Sequence, residues 1–486
     1  MRNCINQRFV EFAMKTSTLS LLIFMIFISG TSLSYSETIQ KTIDSEAAAR
    51  QLAIKAQGTY MEGSSHPPLA DSAFALPIID EDSGNVLGHI IANKIRLISV
   101  LNDAGLTEIS SAIAAAPKGK RSSPGTTGGI FTAVEINVQS GIKYDWWDDD
   151  RDNNASQLSI PVKIDASYDK YSATLLAGFA NTSVELSDGT SESLSNILDT
   201  KLNLSYEMIG TWPVHILVGL DFNFPTGKTD FTQEELVLIM DPDLISINTF
   251  GEGFNINPTV TAVKKWEALE AGVGVGYVWR GEYSFSEDLS NYDPGNIVNA
   301  LAEMRYYFLP EWSARVFGYY AHYGKDKEDG TDFAQEGDHY LFGMGIKNDH
   351  IKWVGGVTVR AVFRDKSKFQ ETTGGLFTED NNSQGSEWVG DIFFTYNLDD
   401  NTTLQSSFQG LYIGENDYSS DSPRFIGSRK KMSLGAGVTR EFDRKIKGEL
   451  NMKGFIIDDA KTNFPKPLES TNYKGLSVMV MVNRGF

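Results

Sequence analysis

The side chains in this sequence best placed to do chemistry are guanidiniums and carboxylates. Arg305 and Arg315 stand symmetrically about Pro310. If the chain turns at Leu309-Pro310-Glu311, the two arginines face each other on neighbouring strands. Like charges so placed repel unless an acid or an anion lies between them. One outcome is a basic step that selects anionic solutes. The other is a pair neutralised by Glu303 or by carboxylates of the N-terminal segment. Lys143, Lys163, Asp165, Asp199, Lys201, Glu207 and Asp221 occupy the same polar face of earlier strands, and Arg280, Arg360 and Asp391 that of later ones.

Covalent and metal chemistry have little to work with. The single cysteine, Cys4, precedes a candidate export signal, so neither a disulfide nor a thiolate site is expected in the mature chain. His215, His322, His339 and His350 have no nucleophile at a telling spacing. His215 falls on the polar face near Asp221, and His322 and His339 fall together near one loop end. Asp148, Asp149, Asp150 and Asp152 crowd one loop, and Asp326, Glu328, Asp329, Asp332 and Glu336 another. Such clusters either hold Ca²⁺ or Mg²⁺ against lipopolysaccharide phosphates or are simply solvated. Neither has EF-hand spacing. No metal, cofactor or catalytic residue is expected.

The stretch from Pro225 to Gly253 is unusual. Within it Glu234 and Glu235 lead into Leu236-Val237-Leu238-Ile239-Met240, followed by Asp241 and Asp243. An apolar run does not suit a solvated loop. It must fold inward as a constriction or pack on neighbouring loops.

The elements that position these groups are strands. From Phe131 onward, apolar and polar residues alternate: Val134, Ile136, Val138, Ile142, Tyr144 and Trp146 against Glu135, Asn137, Gln139, Lys143 and Asp145. The pattern repeats about sixteen times. Long connections (147–156, 183–196, 225–253, 281–295, 324–337, 365–385, 414–428 and 457–473) alternate with tight turns. No helical pattern is available to cover the apolar faces, so lipid must cover them. The expected fold is all-β, a transmembrane antiparallel up-and-down barrel of about sixteen strands, spanning 129–486. The eight tryptophans agree: Trp146, Trp147, Trp279 and Trp388 fall at the long-loop end, and Trp212, Trp266, Trp312 and Trp353 at the turn end.

Composition fits. Hydrophobic residues are 41% and mean hydropathy is −0.24, too polar for a helical bundle with spans of about 20 apolar residues. A net charge of −20 argues against nucleic-acid binding. Residues 1–36 read as a signal peptide, with 1–13 resembling an upstream extension and Met14 an alternative start of translation. Residues 37–128 form a short, partly helical segment, periplasmic or plugging the lumen. It has an apolar stripe from Val86 to Leu101 and a linker from Pro117 to Gly129.

The last strand, Leu476 to Phe486, resembles the C-terminal strand of bacterial outer-membrane barrels. The resemblance implies an outer-membrane location and makes Phe486 an assembly signal read by the barrel assembly machinery. Lipid and lipopolysaccharide are then the surrounding partners. In general porins the third loop constricts the pore, and 225–253 holds that place. The strand closing on Pro225-Thr226-Gly227-Lys228, within Val218 to Phe231, resembles the family "MetA-pathway of phenol degradation". This likeness continues from Gly251 to Trp279 and into the last strand. It implies transport of small, aromatic or hydrophobic molecules through a channel gated by 225–253 or by the N-terminal segment. Pro225-Thr226-Gly227-Lys228 lacks Walker spacing; it has a ligand role or is a plain turn. The alternative to a channel is a structural or adhesion barrel with acidic loops and no open pore.

Overall fold

Period-two alternation runs almost unbroken from residue 135 to residue 485 and closes on itself. In this computed structural model the described residues are 134–486, apart from 209–213, 233, 287–288, 371–374, 444 and 465–466, together with Ala75–Ile79 and Val86–Ile91. Sixteen antiparallel strands form a closed barrel. They are β1 (Glu135–Asp149), β2 (Asn154–Tyr168), β3 (Tyr171–Glu185), β4 (Ser191–Ile197 and Thr200–Met208), β5 (His215–Phe224), β6 (Asn255–Trp266), β7 (Leu269–Arg280) and β8 (Ile297–Leu309). The second half is β9 (Trp312–Tyr323), β10 (His339–Asp349), β11 (Trp353–Arg364), β12 (Glu387–Asn397), β13 (Thr402–Ile413), β14 (Arg429–Asp443), β15 (Ile446–Asp459) and β16 (Thr471–Gly485). β16 pairs with β1, Met479 opposite Lys143, so among the described residues the barrel itself has no unpaired edge strand.

One face of each strand points outward and is apolar. Leu434 is 67% exposed, Met344 64% and Phe342 60%. A continuous apolar belt of this size is stable only against lipid. Aromatic residues flank it. Tyr171 and Tyr206 stack at 4.9 Å, and Trp353 and Phe394 at 5.8 Å, at the turn end. Phe363 with Trp388 (6.0 Å) and Phe254 with Trp279 (6.1 Å) lie at the loop end. Phe486 faces out and is capped by Arg484; its amide donates to Ile136 O at 2.9 Å.

Three expectations need correction. The connection 183–196 is not a long loop: β3 runs to Glu185 and β4 begins at Ser191, so the hairpin simply rises further. Trp147 does not join the lipid-facing indoles. It shares the inward parity of Lys143 and Asp145 and is 6% exposed. Within the segment expected to be partly helical, Val86–Ile91 is a strand paired with Ala75–Ile79; the β-branched Val86, Ile90 and Ile91 suit that pairing. The rest of 37–128, the signal peptide and Trp212 lie outside the described residues.

β4 is interrupted for a reason. Phe179 pairs with Ile197, but Leu176 pairs with Lys201, a slip of one residue. The bulge at Leu198-Asp199 reverses the inward parity of the strand: Leu194 turns inward before it and Lys201 after it. Beyond the membrane, Tyr292–Asp293, Lys325–Glu328, Thr331–Gln335, Lys368–Gln370 and Leu376–Thr378 form a five-stranded sheet from three separate loops.

Candidate functional site: the barrel interior

The third loop, 225–254, folds into the barrel, and its base is pinned by the bulge. Asp199 Oδ1 accepts from the Gly227 amide (2.8 Å), and Oδ2 from the Glu252 amide (2.8 Å) and Asn223 Nδ2 (2.6 Å). One carboxylate therefore holds both ends of the loop. Pro225 ends the strand, and Thr226 Oγ1 donates to Leu198 O at 2.9 Å. A Cβ on Gly227 would lie 1.9 Å from Phe250 O, so no other residue fits that crossing. Lys228 pairs with Glu235 at 2.8 Å. The four-residue motif is thus an anchor, with each member tied to protein rather than to a ligand.

Beyond the anchor, Thr232 and Glu235 cap each other. The Thr232 amide donates to Glu235 at 2.9 Å, and the Glu235 amide to Thr232 Oγ1 at 3.3 Å, opening the 3-10 turn Glu235–Leu238. Burial would raise the Glu235 carboxyl, but hydrogen bonds from Lys228 and Thr232 outweigh it and hold the group below its ordinary range. Glu234 is exposed. Leu238, Met240, Leu244 and Ile245 pack on Trp147, Ala155, Val184 and Ile457, all inward-facing. Gln157 exchanges two hydrogen bonds with the Ile247 backbone, at 2.7 and 3.0 Å. Lys143 donates to Ser246 Oγ.

The loop tip reaches β14. Arg429 Nη1 meets Asp241 at 2.5 Å and Asp243 at 3.2 Å, and its Nη2 meets Asp459 at 2.5 Å. Lys431 donates to Asp243 O at 2.7 Å. All the side chains in this cluster are largely buried. Asp241 and Asp243, members of the candidate constriction loop, tie that loop to the wall, and their cations are not among the lumen residues singled out from the sequence. Arg429-Lys430-Lys431 reads in sequence as a basic patch at a loop edge; only strand parity separates the inward Arg429 and Lys431 from the outward Lys430. At the loop's end, burial lifts the Glu252 carboxyl above its ordinary range despite Lys201 at 3.0 Å.

The opposite wall, β7 to β13, presents the other expected residues. Arg305 and Arg315 are directly paired across β8 and β9. Arg305 is neutralised by Glu303 at 2.8 Å, with Glu270 opposite it on β7. Arg360 meets Asp391 at 2.6 Å. Arg315 lies over Phe317 at 4.8 Å and donates to Thr358 Oγ1 at 3.3 Å. Asp221 is held between Asn203 and Asn257, the latter at 2.9 Å. Toward the extracellular end, the inward row Leu301, Tyr319, Leu341 and Val362 runs in register over four strands and is buried. His215 shares the inward parity of Leu217 and Asp221, as expected. His322 and His339 do fall at one loop end, each on its own acid, Asp338 at 2.7 Å and Glu336 at 2.8 Å.

An apolar outer belt with two aromatic rims, a polar interior and an infolded loop define a bacterial outer-membrane β-barrel. Within that class, the model of the family described as "MetA-pathway of phenol degradation" matches residues 119–350, and the chain is similar to that family there. No curated protein matches it. Among solved structures it is similar to OmpT of Vibrio cholerae, at 12% identity over 74% of this chain and 100% of that one, with a TM-score of 0.32. It is also similar to OccK7 (OpdD) of Pseudomonas aeruginosa, at 10% identity over 73% and 99%, with a TM-score of 0.38.

Proposed function

We propose that the protein is an outer-membrane channel for small solutes, with a path through the barrel between the infolded third loop and the inward face of β7–β13. The observation that carries this reading is the tether. A loop leaving β5 is tied to Arg429 and Lys431 on β14, and so narrows the interior at one fixed level. The gate is this loop or, as the alternative, the segment 37–128. The apolar inward row on β8–β11 favours aromatic or other hydrophobic solutes.

A second reading, a structural barrel with no open pore, has one observation behind it: that same inward row is itself buried, Val362 at 2% exposure. Single-channel recording in planar bilayers separates the two. We expect small steps from the intact protein, larger and noisier ones from Arg429→Gln, and larger ones on deleting 37–128. Silence from all three proteins would leave the structural barrel.

A further inference from the structure

Three interior arginines, Arg305, Arg315 and Arg360, lie close together on β8, β9 and β11, and of these Arg315 alone has no carboxylate at ion-pair distance among the described residues. Arg305 has Glu303, with Glu270 opposite, and Arg360 has Asp391. Arg315 has a hydroxyl and a ring, those of Thr358 and Phe317. Two glycines clear the surroundings of its partners. Gly343 and Gly345 face inward on β10, between β9 and β11. A Cβ on Gly343 would lie 2.2 Å from the Phe317 ring. A Cβ on Gly345 would lie 2.8 Å from Thr358 Oγ1 and 3.5 Å from Arg315 Nε. The missing side chain at Gly343 lets Phe317 lie flat across β10, and that at Gly345 leaves Thr358 Oγ1 where Arg315 can donate to it.

There a second set of donors waits. Arg360 is 5% exposed. Its Nη1 is taken by Asp391, while neither Nε nor Nη2 has a hydrogen-bond partner. Arg360 is directly opposite Gly343, one inward position along from Thr358. Unfilled, buried guanidinium donors beside an unpaired guanidinium call for an anion with two oxygens, the fork that Arg recognises best. The next inward row toward the extracellular end is apolar: Tyr319, Leu341 and Val362. Two residues along a strand are about 6.6 Å, roughly the length of one ring beyond its carboxylate.

We propose that Arg315, Thr358 and the free donors of Arg360 form a subsite for a small organic carboxylate whose apolar body lies against Tyr319 and Leu341. In transport terms this rests on the channel reading, because it names the solute class. Binding itself does not require conductance, so the two can fail separately.

The test is calorimetric titration of the detergent-solubilised full chain with benzoate, with acetate, inorganic phosphate and benzylamine as comparisons. We expect benzoate to bind most tightly and benzylamine not at all. We expect Arg315→Gln to lose roughly tenfold or more, the scale of one charge-assisted hydrogen bond, and Arg315→Lys to fall between. Heat-modifiable electrophoretic mobility identifies the folded barrel in every variant, so misfolding is not mistaken for lost binding. Should Arg315→Gln not fold, Thr358→Val supplies the same comparison through the hydroxyl. Benzoate binding equal in wild type and the folded variant would overturn the proposal, as would acetate or phosphate binding as tightly as benzoate. In bilayers, benzoate should block the wild-type current more than the variant's. Current without that difference refutes the subsite and leaves the channel standing. Binding without current does the reverse.

Discussion

The two halves of the interior wall hold their charges differently. From β14 through β16 and β1 to β6, inward groups are spent on the third loop: Arg429, Lys431, Lys143, Gln157 and Asp199 all bond to it. From β7 to β13, inward groups bond mainly within their own wall, strand to strand, as in Arg305–Glu303 and Arg360–Asp391. The first half is a seat and the second is a surface. A charge in the seat is satisfied by a segment distant in sequence, so removing it strands its partner. A charge on the surface is satisfied by close neighbours in the wall, and one of them, Arg315, has no acid at ion-pair distance among the described residues.

The sharpest break of that contrast is Arg429→Gln. It leaves Asp241 and Asp459 without their principal cation in a buried place and should cost about 3–5 kcal/mol. Urea unfolding followed by heat-modifiable mobility would show it; Arg305→Gln, on the surface half, should cost clearly less. Gly227→Ala comes next. Its Cβ cannot be accommodated against Phe250 O, so the loop base must move, at about 2–3 kcal/mol, with faster proteolysis within 225–254 as the readout. Gly345→Ala should cost about 1 kcal/mol and yet change function, because its Cβ would displace Thr358 Oγ1, the hydroxyl to which Arg315 donates. Conductance should shift while loop proteolysis stays as in wild type.

The smallest effect is one of pH. Glu235 is held below its ordinary value near 4.5, so its contribution is present above that value and is lost as pH falls through the lower, folded one. Loop proteolysis should therefore rise only in acid below about pH 4.5, the ordinary value, and Glu235→Gln should flatten the profile.

Much of this contrast could be read in the sequence because the barrel is built on period two. The strand set, the long and short connections, and the pairing of Arg305 with Arg315 about Pro310 all follow from parity and turn chemistry. Parity fails where a strand breaks step. At Leu198-Asp199 the bulge puts a carboxylate under both ends of the loop, and nothing in the local pattern of Ser191 to Tyr206 announces it beyond a change of phase. Trp147 was misplaced for a related reason: adjacent tryptophans cannot both face lipid on a strand. The partners of Asp241 and Asp243 stand 188 and 186 residues from them in sequence. That is a separation at which charge pattern carries no pairing information. The helical stripe from Val86 failed differently, since Leu87, Ile90 and Ile91 fit a short strand as well as a helix turn.

The span of the tether also has a kinetic side. Asp241 cannot reach Arg429 until β14 to β16 and β1 have joined one wall, so the loop takes its seat after the cylinder is nearly complete. Until then Leu238 and Met240 lack Ile457 of β15, Asp241 and Asp243 lack their cations, and the nascent barrel carries a half-seated loop tip at its mouth. Loop-closure entropy over so many residues makes such late contacts slow. Maturation should accordingly show two separable steps: a fast gain of heat-resistant compactness, and a later gain of protease resistance confined to the third loop.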